Sequence, residues 1–287
     1  MSKVRYSTFL NNIYYEQFLV LYKSYLYYNH EHPFRVYDYN SLDEEKVTHL
    51  KEIGVEVIVV NKGDYSDLMY YNQYAFKWKG LIESDCDVEV LLDCDTIFLD
   101  NLDDLVEKVK NCELVVVPEY VNTHRAGNLF NIGLMVYKKE SKYLLEKSIQ
   151  RLKDEPYKNG NKDWNNTEMF SLCDIVQEDK INVLELPWEQ YMHLWHNHSL
   201  KKTLEIEDGK FVIKNEDGSR VRFYHFTTHI DPFNGGDTIL RFAYDYETTN
   251  RMWLKRFNNP IGLIYNHLKI NETIKTILET QNEWKIK

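Results

Sequence analysis

Val90-Leu91-Leu92-Asp93-Cys94-Asp95-Thr96-Ile97-Phe98 drives an apolar run into two carboxylates and resumes it at once. A continuous apolar run of this kind reads as a strand buried on both faces, as inside a parallel sheet. The expectation is one strand over Val88 to Phe98. Two carboxylates at such a position are costly to bury, and a divalent cation is the usual compensation.

The flanking pattern extends that reading. Val4 to Leu10 alternates and is rich in β formers, and Asn11-Asn12 breaks it. Tyr15 to Tyr27 carries apolar residues at helical spacing. Phe34 to Tyr37 is a second strand. Leu42 to Ile53 is a helix, with Ser41 as its expected N-cap and Gly54 as its stop. Val55 to Val60 is a third strand. Strand–helix–strand–helix–strand implies right-handed crossovers and a mostly parallel sheet. A helix over Tyr70 to Ile82 leads into the opening stretch.

Further on, Asn101 to Leu105 opens a short helix and Leu114 to Pro118 is a strand. Phe130 to Tyr137 is a strand broken at Asn131-Ile132-Gly133, and Ser141 to Leu152 is a helix. Residues 153–166 read as a surface loop, Asn166 to Val176 as a helix, and Ile181 to Leu186 as a strand. Asp208-Gly209 and Asp217-Gly218 separate Thr203–Glu207, Phe211–Lys214 and Arg220–Phe226, which predicts an antiparallel addition. Thr238–Phe257 and Ile261–Glu279 read as helices. The fold class is therefore α/β. One domain over 1–235 with a helical extension over 236–287 is the simplest organisation.

The 287 residues carry a net charge of −10, which sets the whole-molecule field against nucleic acid and anionic membrane. A local basic patch is the remaining route to either. Cys86, Cys94, Cys112 and Cys173 form no CxxC pair, so reduced thiols in a cytoplasmic protein are expected. No apolar run approaches a membrane span, and the Asn-x-Ser/Thr matches at Asn165, Asn197 and Asn271 are read as chance. Twenty-two tyrosines and six tryptophans give weak support to sugar or base binding, because most aromatics simply fill cores. No glycine-rich phosphate loop follows the first strand, which argues against dinucleotide and Walker-type sites.

Asp-x-Asp alone is weak evidence. Followed by Asn101-Leu102-Asp103-Asp104-Leu105 and then Phe130-Asn131-Ile132-Gly133, it resembles the GT-A glycosyltransferases, most closely the glycogenin-like glycosyltransferase family 8. The match runs in order from Val4 to about Phe233. The resemblance implies a GT-A (Rossmann-like) fold, a UDP-sugar donor, manganese or magnesium, and a retaining transfer to a carbohydrate, glycoconjugate or protein acceptor. It implies Asp93, Asp95 and His225 as metal ligands, with His225-Phe226 matching the family's His-Phe. It implies Tyr15 stacking on the base, with Leu10 and Asn12 beside it. Lys77 falls where the family has a basic residue near the donor, and Asn131 and Gly133 lie beside the donor sugar.

Two positions depart from the family. Thr167-Glu168 stands where the family has Asp-Gln, so Glu168 is the candidate base, nucleophile or orienting group. Asp231 stands where the family has a lysine that reaches the diphosphate, and His229 is the candidate substitute donor. These departures keep open a nucleotide-sugar-binding protein without turnover. A haloacid-dehalogenase-like phosphatase also uses Asp-x-Asp, but on the first strand and with Thr or Val where Ile97 stands. His193, His196 and His198 stay unassigned.

Overall fold

A computed structural model describes residues 3–60, 75–118, 130–154, 168–193 and 202–225, together with Ile264 and Leu268. The chain forms two compact units. The first takes residues up to Phe18, then His30–Cys94 and Leu102–Trp188, and the second takes Leu19–Asn29, Asp95–Asn101 and Glu189 onward.

The first unit is built on a seven-stranded sheet. Its strands are β1 (Val4–Leu10), β2 (Phe34–Asp38), β3 (Glu56–Val59), β4 (Val88–Leu92), β6 (Leu114–Pro118), β7 (Phe130–Lys138) and β8 (Val183–Glu185), in the order β3-β2-β1-β4-β7-β6-β8. β1 pairs in parallel with β2 and β4, placing Thr8 opposite both Val36 and Leu92. β7 runs antiparallel to β4 and β6. The mostly parallel sheet expected from the alternating strands and helices is thus present.

Helix α1 (Tyr15–Tyr27) follows β1 after a 3-10 turn capped by the Asn11 side chain. Helix α2 (Glu44–Glu52) follows β2. Its N-cap is Asp43, not Ser41, because Asp38 takes the Ser41 hydroxyl. Asp38 Oδ1 accepts from Ser41 N–H at 2.9 Å, Ser41 Oγ at 3.0 Å and Leu42 N–H at 3.2 Å. Gly54 ends the helix region at φ 88°, in the left-handed region a Gly adopts without strain. Helix α3 (Ala75–Glu83) precedes β4 and α4 (Asp104–Lys108) follows it. The first part of the helix expected from Tyr70 lies outside the described residues.

Helices α5 (Lys142–Asp154) and α6 (Glu168–Glu178) complete this unit. Trp78, Leu81, Leu91, Met135, Leu144, Leu145 and Leu172 share its core. α3 lies close to the sheet, since a Cβ on Gly80 would sit 3.0 Å from Tyr37 and 3.1 Å from Val60. Glu89 of β4 and Arg35 of β2 are buried charges, and both are paired. The Tyr37 and Tyr137 hydroxyls each donate to Glu89 at 2.6 Å. Arg35 binds both oxygens of Glu56 at 3.0 Å and Asp85 at 3.1 Å.

Asp85 is held down to about 2 by the hydrogen bond from Lys3, with Arg35 adding to it. An unfolded aspartate titrates near about 3.9. A depressed folded value adds stability above the unfolded value, and that stability disappears as pH falls through the folded one. Asp85→Asn is therefore expected to cost about 1 kcal/mol or less at neutral pH, the exposed carboxylate being screened. The difference from wild type should shrink between pH 4 and 2, as read by denaturant midpoints. A gap that stays constant over that range would refute the assignment.

The single strand expected over Val88 to Phe98 is two strands in two sheets. β4 ends at Leu92, Cys94 and Asp95 form a turn, and β5 (Thr96–Phe98) begins in the second unit. The turn takes both carboxylates out of the backbone ladder, and Asp95, still buried, has its carboxylate beside the His225 imidazole. In the second unit, β5 pairs antiparallel with β13 (Phe223–His225), and β13 pairs in parallel with β9 (Tyr191–His193). β10 (Lys202–Glu207), β11 (Lys210–Asn215) and β12 (Arg220–Val221) form a separate antiparallel sheet. The two Asp-Gly turns link them, with Gly209 at φ 75° and Gly218 at φ 83°. This expected antiparallel addition is a sheet of its own, and the strand expected over Arg220–Phe226 is divided between β12 and β13.

The core of the second unit joins Val20, Ile97, Leu99, Ile213, Val221 and Tyr224 to Ile264 and Leu268. These last two fall within the helix expected over Ile261–Glu279. The other residues of the 236–287 extension lie outside the described residues. Cys86, Cys94, Cys112 and Cys173 are buried thiols, none in a disulfide. No helix among the described residues is long and apolar enough to cross a membrane.

Candidate active site

Ligands of open α/β sheets bind beyond the carboxyl ends of the strands, where the strand order reverses. In the first unit that place lies between β1 and β4. Leu10, at the end of β1, is buried in the core. Alternation along β4 continues Glu89 and Leu91 to Asp93 on the face covered by α3. The ammonium of Lys77, on α3, meets Asp93 Oδ1 there at 3.0 Å, with both side chains mostly buried. Asp93 N–H donates to the Gly133 carbonyl at 3.0 Å.

β7 is irregular where the sequence predicted a break. Its register against β6 shifts between Val116 and Val117, so that Val116 faces Met135 while Val117 faces Asn131. Asn131 Oδ1 accepts from Gly133 N–H at 2.6 Å, which fixes the orientation of this buried amide. The structure thus brings Lys77, Asp93, Asn131 and Gly133 to one end of the sheet.

Tyr15 opens α1 and is buried. Its hydroxyl bonds His49 Nδ1 at 2.5 Å, and Lys46 Nζ stands 5.4 Å from its ring centre. Burial, then the nearby Glu16 and Glu45 carboxylates, raise the Tyr15 pKa, so the phenol stays protonated at neutral pH. Asn12 Nδ2 donates to Asp43 Oδ1 at 3.0 Å. Lys46 and His49 were not among the residues singled out from sequence. No motif marks them, and only the return of α2 beside the β1 end brings them to Tyr15.

In the second unit, the antiparallel register of β5 and β13 sets Thr96 opposite His225. Asp95, one residue before Thr96, then reaches His225, with Oδ1 3.2 Å from Nε2 and both residues buried. A carboxylate oxygen and an imidazole nitrogen at this spacing, two residues from a second aspartate in the chain, form a donor set that suits manganese or magnesium. Glu168 is the first residue of α6, and nothing is described of its side chain. The backbone of His193 pairs with His225. Thr167, His196, His198, His229 and Asp231 lie outside the described residues.

Together these elements define a GT-A fold. The chain is similar to the crystal structure of the glycosyltransferase GlyE of Streptococcus pneumoniae TIGR4, at 14% identity and a TM-score of 0.63 over 100% of this chain. It spans 64% of the length of that chain. It is similar also to an active-site mutant of LgtC, at 15% identity and a TM-score of 0.57, covering 84% of this chain and 95% of that one. A structure of the galactosyltransferase LgtC with donor and acceptor sugar analogues aligns at 13% identity and a TM-score of 0.54, covering 84% of this chain and 94% of that one. No protein-family model matches the chain, and no curated protein matches it in sequence.

Proposed function

We propose that the protein is a metal-dependent glycosyltransferase, a hexosyltransferase that moves a sugar from a UDP-sugar to a carbohydrate, glycoconjugate or protein acceptor with retention. The observation that carries this reading is the buried pair of Asp95 and His225 at 3.2 Å, two residues past Asp93, on a fold shared with glycosyltransferases.

In this reading Asp93, Asp95 and His225 hold manganese or magnesium through carboxylate oxygens and an imidazole nitrogen. When bound, the cation supplies Lewis-acid neutralisation of the departing diphosphate. Lys77, already beside Asp93, adds a second positive charge for the leaving group. Asn131 and Glu168 hydrogen-bond the donor sugar, with Gly133 beside it, and Glu168 serves as base, nucleophile or orienting group. Tyr15, Leu10 and Asn12 take the nucleoside, and His229 stands in for the missing lysine at Asp231. The core domain extends to about residue 235, with 236–287 as its helical extension, and the enzyme acts in the cytoplasm.

The test is UDP release from a panel of UDP-sugars. Turnover of at least one donor with manganese, abolished by a chelator and restored by added manganese, is the expected result. Tight UDP-sugar binding without hydrolysis or transfer across an acceptor panel would show a binding protein instead. Equal turnover in chelator would remove the metal from the reading.

A further inference from the structure

Asp43 is the N-cap of α2, yet its side chain caps nothing in that helix. It turns instead to Asn12 Nδ2 at 3.0 Å and to Lys46 Nζ at 3.1 Å. Asn12 Oδ1 accepts from Asp43 N–H and from Lys46 Nζ, both at 3.1 Å. An Asp–Lys pair one turn apart on a helix surface is by itself ordinary and worth little. Here the same ammonium also bonds an amide from the end of β1 and lies over the Tyr15 ring. His49, one turn further along α2, holds the hydroxyl of that ring. Asn12, Asp43, Lys46 and His49 thus form one polar network beside Tyr15 at the carboxyl ends of β1 and β2, with Lys46 over the ring and His49 at its hydroxyl.

We propose that α2 completes the nucleobase part of the donor site: Lys46 contacts the base laid against Tyr15, and His49 is a positioning residue that fixes the Tyr15 ring. This rests on the reading of the chain as a UDP-sugar enzyme. The chemistry fits uracil. Lys46 offers a charged N–H donor and Asp43, bonded to it, a carboxylate acceptor. A uracil edge carries a carbonyl oxygen beside an imide N–H, so both groups find a partner at once. A cation at an aromatic face is worth about 0.5–1 kcal/mol when exposed. Stacking a base there is worth about 1–3 kcal/mol, so a base that moves Lys46 from the ring to its own edge gains on the exchange.

The experiment is calorimetric titration of the full chain, with manganese, by UDP and by inorganic pyrophosphate. Pyrophosphate reports the metal and diphosphate part alone. Lys46→Met is expected to weaken UDP about tenfold, the loss of one hydrogen bond from a charged donor, and to leave pyrophosphate within about twofold. His49→Phe is expected to weaken UDP alone as well, and His49→Asn, which keeps a polar atom near the Nδ1 position, to restore it. Unchanged UDP affinity in Lys46→Met, or equal weakening of UDP and pyrophosphate, would overturn the proposal. Wild-type protein that binds UDP no more tightly than pyrophosphate would overturn it while leaving the metal reading intact. Wild-type protein that binds neither would overturn the donor reading and this inference together.

Discussion

Asp95→Asn is expected to lower manganese-dependent UDP release by about 10²–10³-fold, the range seen when one group that stabilises developing charge is removed. The substitution keeps the shape and one acceptor oxygen for His225, now 3.2 Å away. It removes the negative charge that a divalent cation requires of its ligand. The fold should survive, because an amide in that buried place can still share a hydrogen bond with the imidazole. Manganese affinity, followed by the loss of the free-ion paramagnetic resonance signal, should fall with the activity. A variant that keeps wild-type UDP release would exclude Asp95 as a ligand. A large drop in melting temperature would instead show that the pair serves the fold.

The second large effect is structural. Trp78→Ala is expected to destabilise the protein by about 3–5 kcal/mol. Trp78 is fully buried, its Nε1–H donates to Ser148 Oγ at 3.1 Å on α5, and its ring lies in the core that joins α3 to the sheet. Removing it leaves a cavity and an unpaired hydroxyl. Trp78→Phe keeps most of the volume, loses the hydrogen bond to Ser148 and should cost much less. Urea unfolding followed by circular dichroism measures both, and a loss under about 1 kcal/mol for the alanine variant would contradict the packing described. The neighbouring residue on α3 is Lys77, so a variant that still folds should also show a raised KM for the donor.

Much of the architecture is written locally. β1 and α1 run over the residues that alternation and helical spacing pick out, Val4–Leu10 and Tyr15–Tyr27. Both Asp-Gly turns take the left-handed glycine that their type requires. The α2 boundary differs from the expected one: the Ser41 hydroxyl bonds a carboxylate on another element, Asp38, and capping rules see only the helix itself. In the sequence Lys77 is set apart from the other lysines only by its place in the family pattern, and the structure pairs it with Asp93 at 3.0 Å.

The opening stretch shows the division most clearly. Its apolar character and its two aspartates are properties of consecutive residues, so the sequence alone determines that strand structure surrounds an acidic pair. That the strand becomes two, β4 in the seven-stranded sheet and β5 in another, depends on a partner with no local trace. β13 arrives from far along the chain and pairs with β5 in a register that sets Asp95 beside His225. In the same way Asp43, Lys46 and His49 read as ordinary helix residues until the fold brings them to Asn12 and Tyr15. Periodicity reports which face a residue occupies. Which distant face it meets is fixed only when the whole core closes, because the energy that selects that pairing is shared among contacts between residues far apart in the chain.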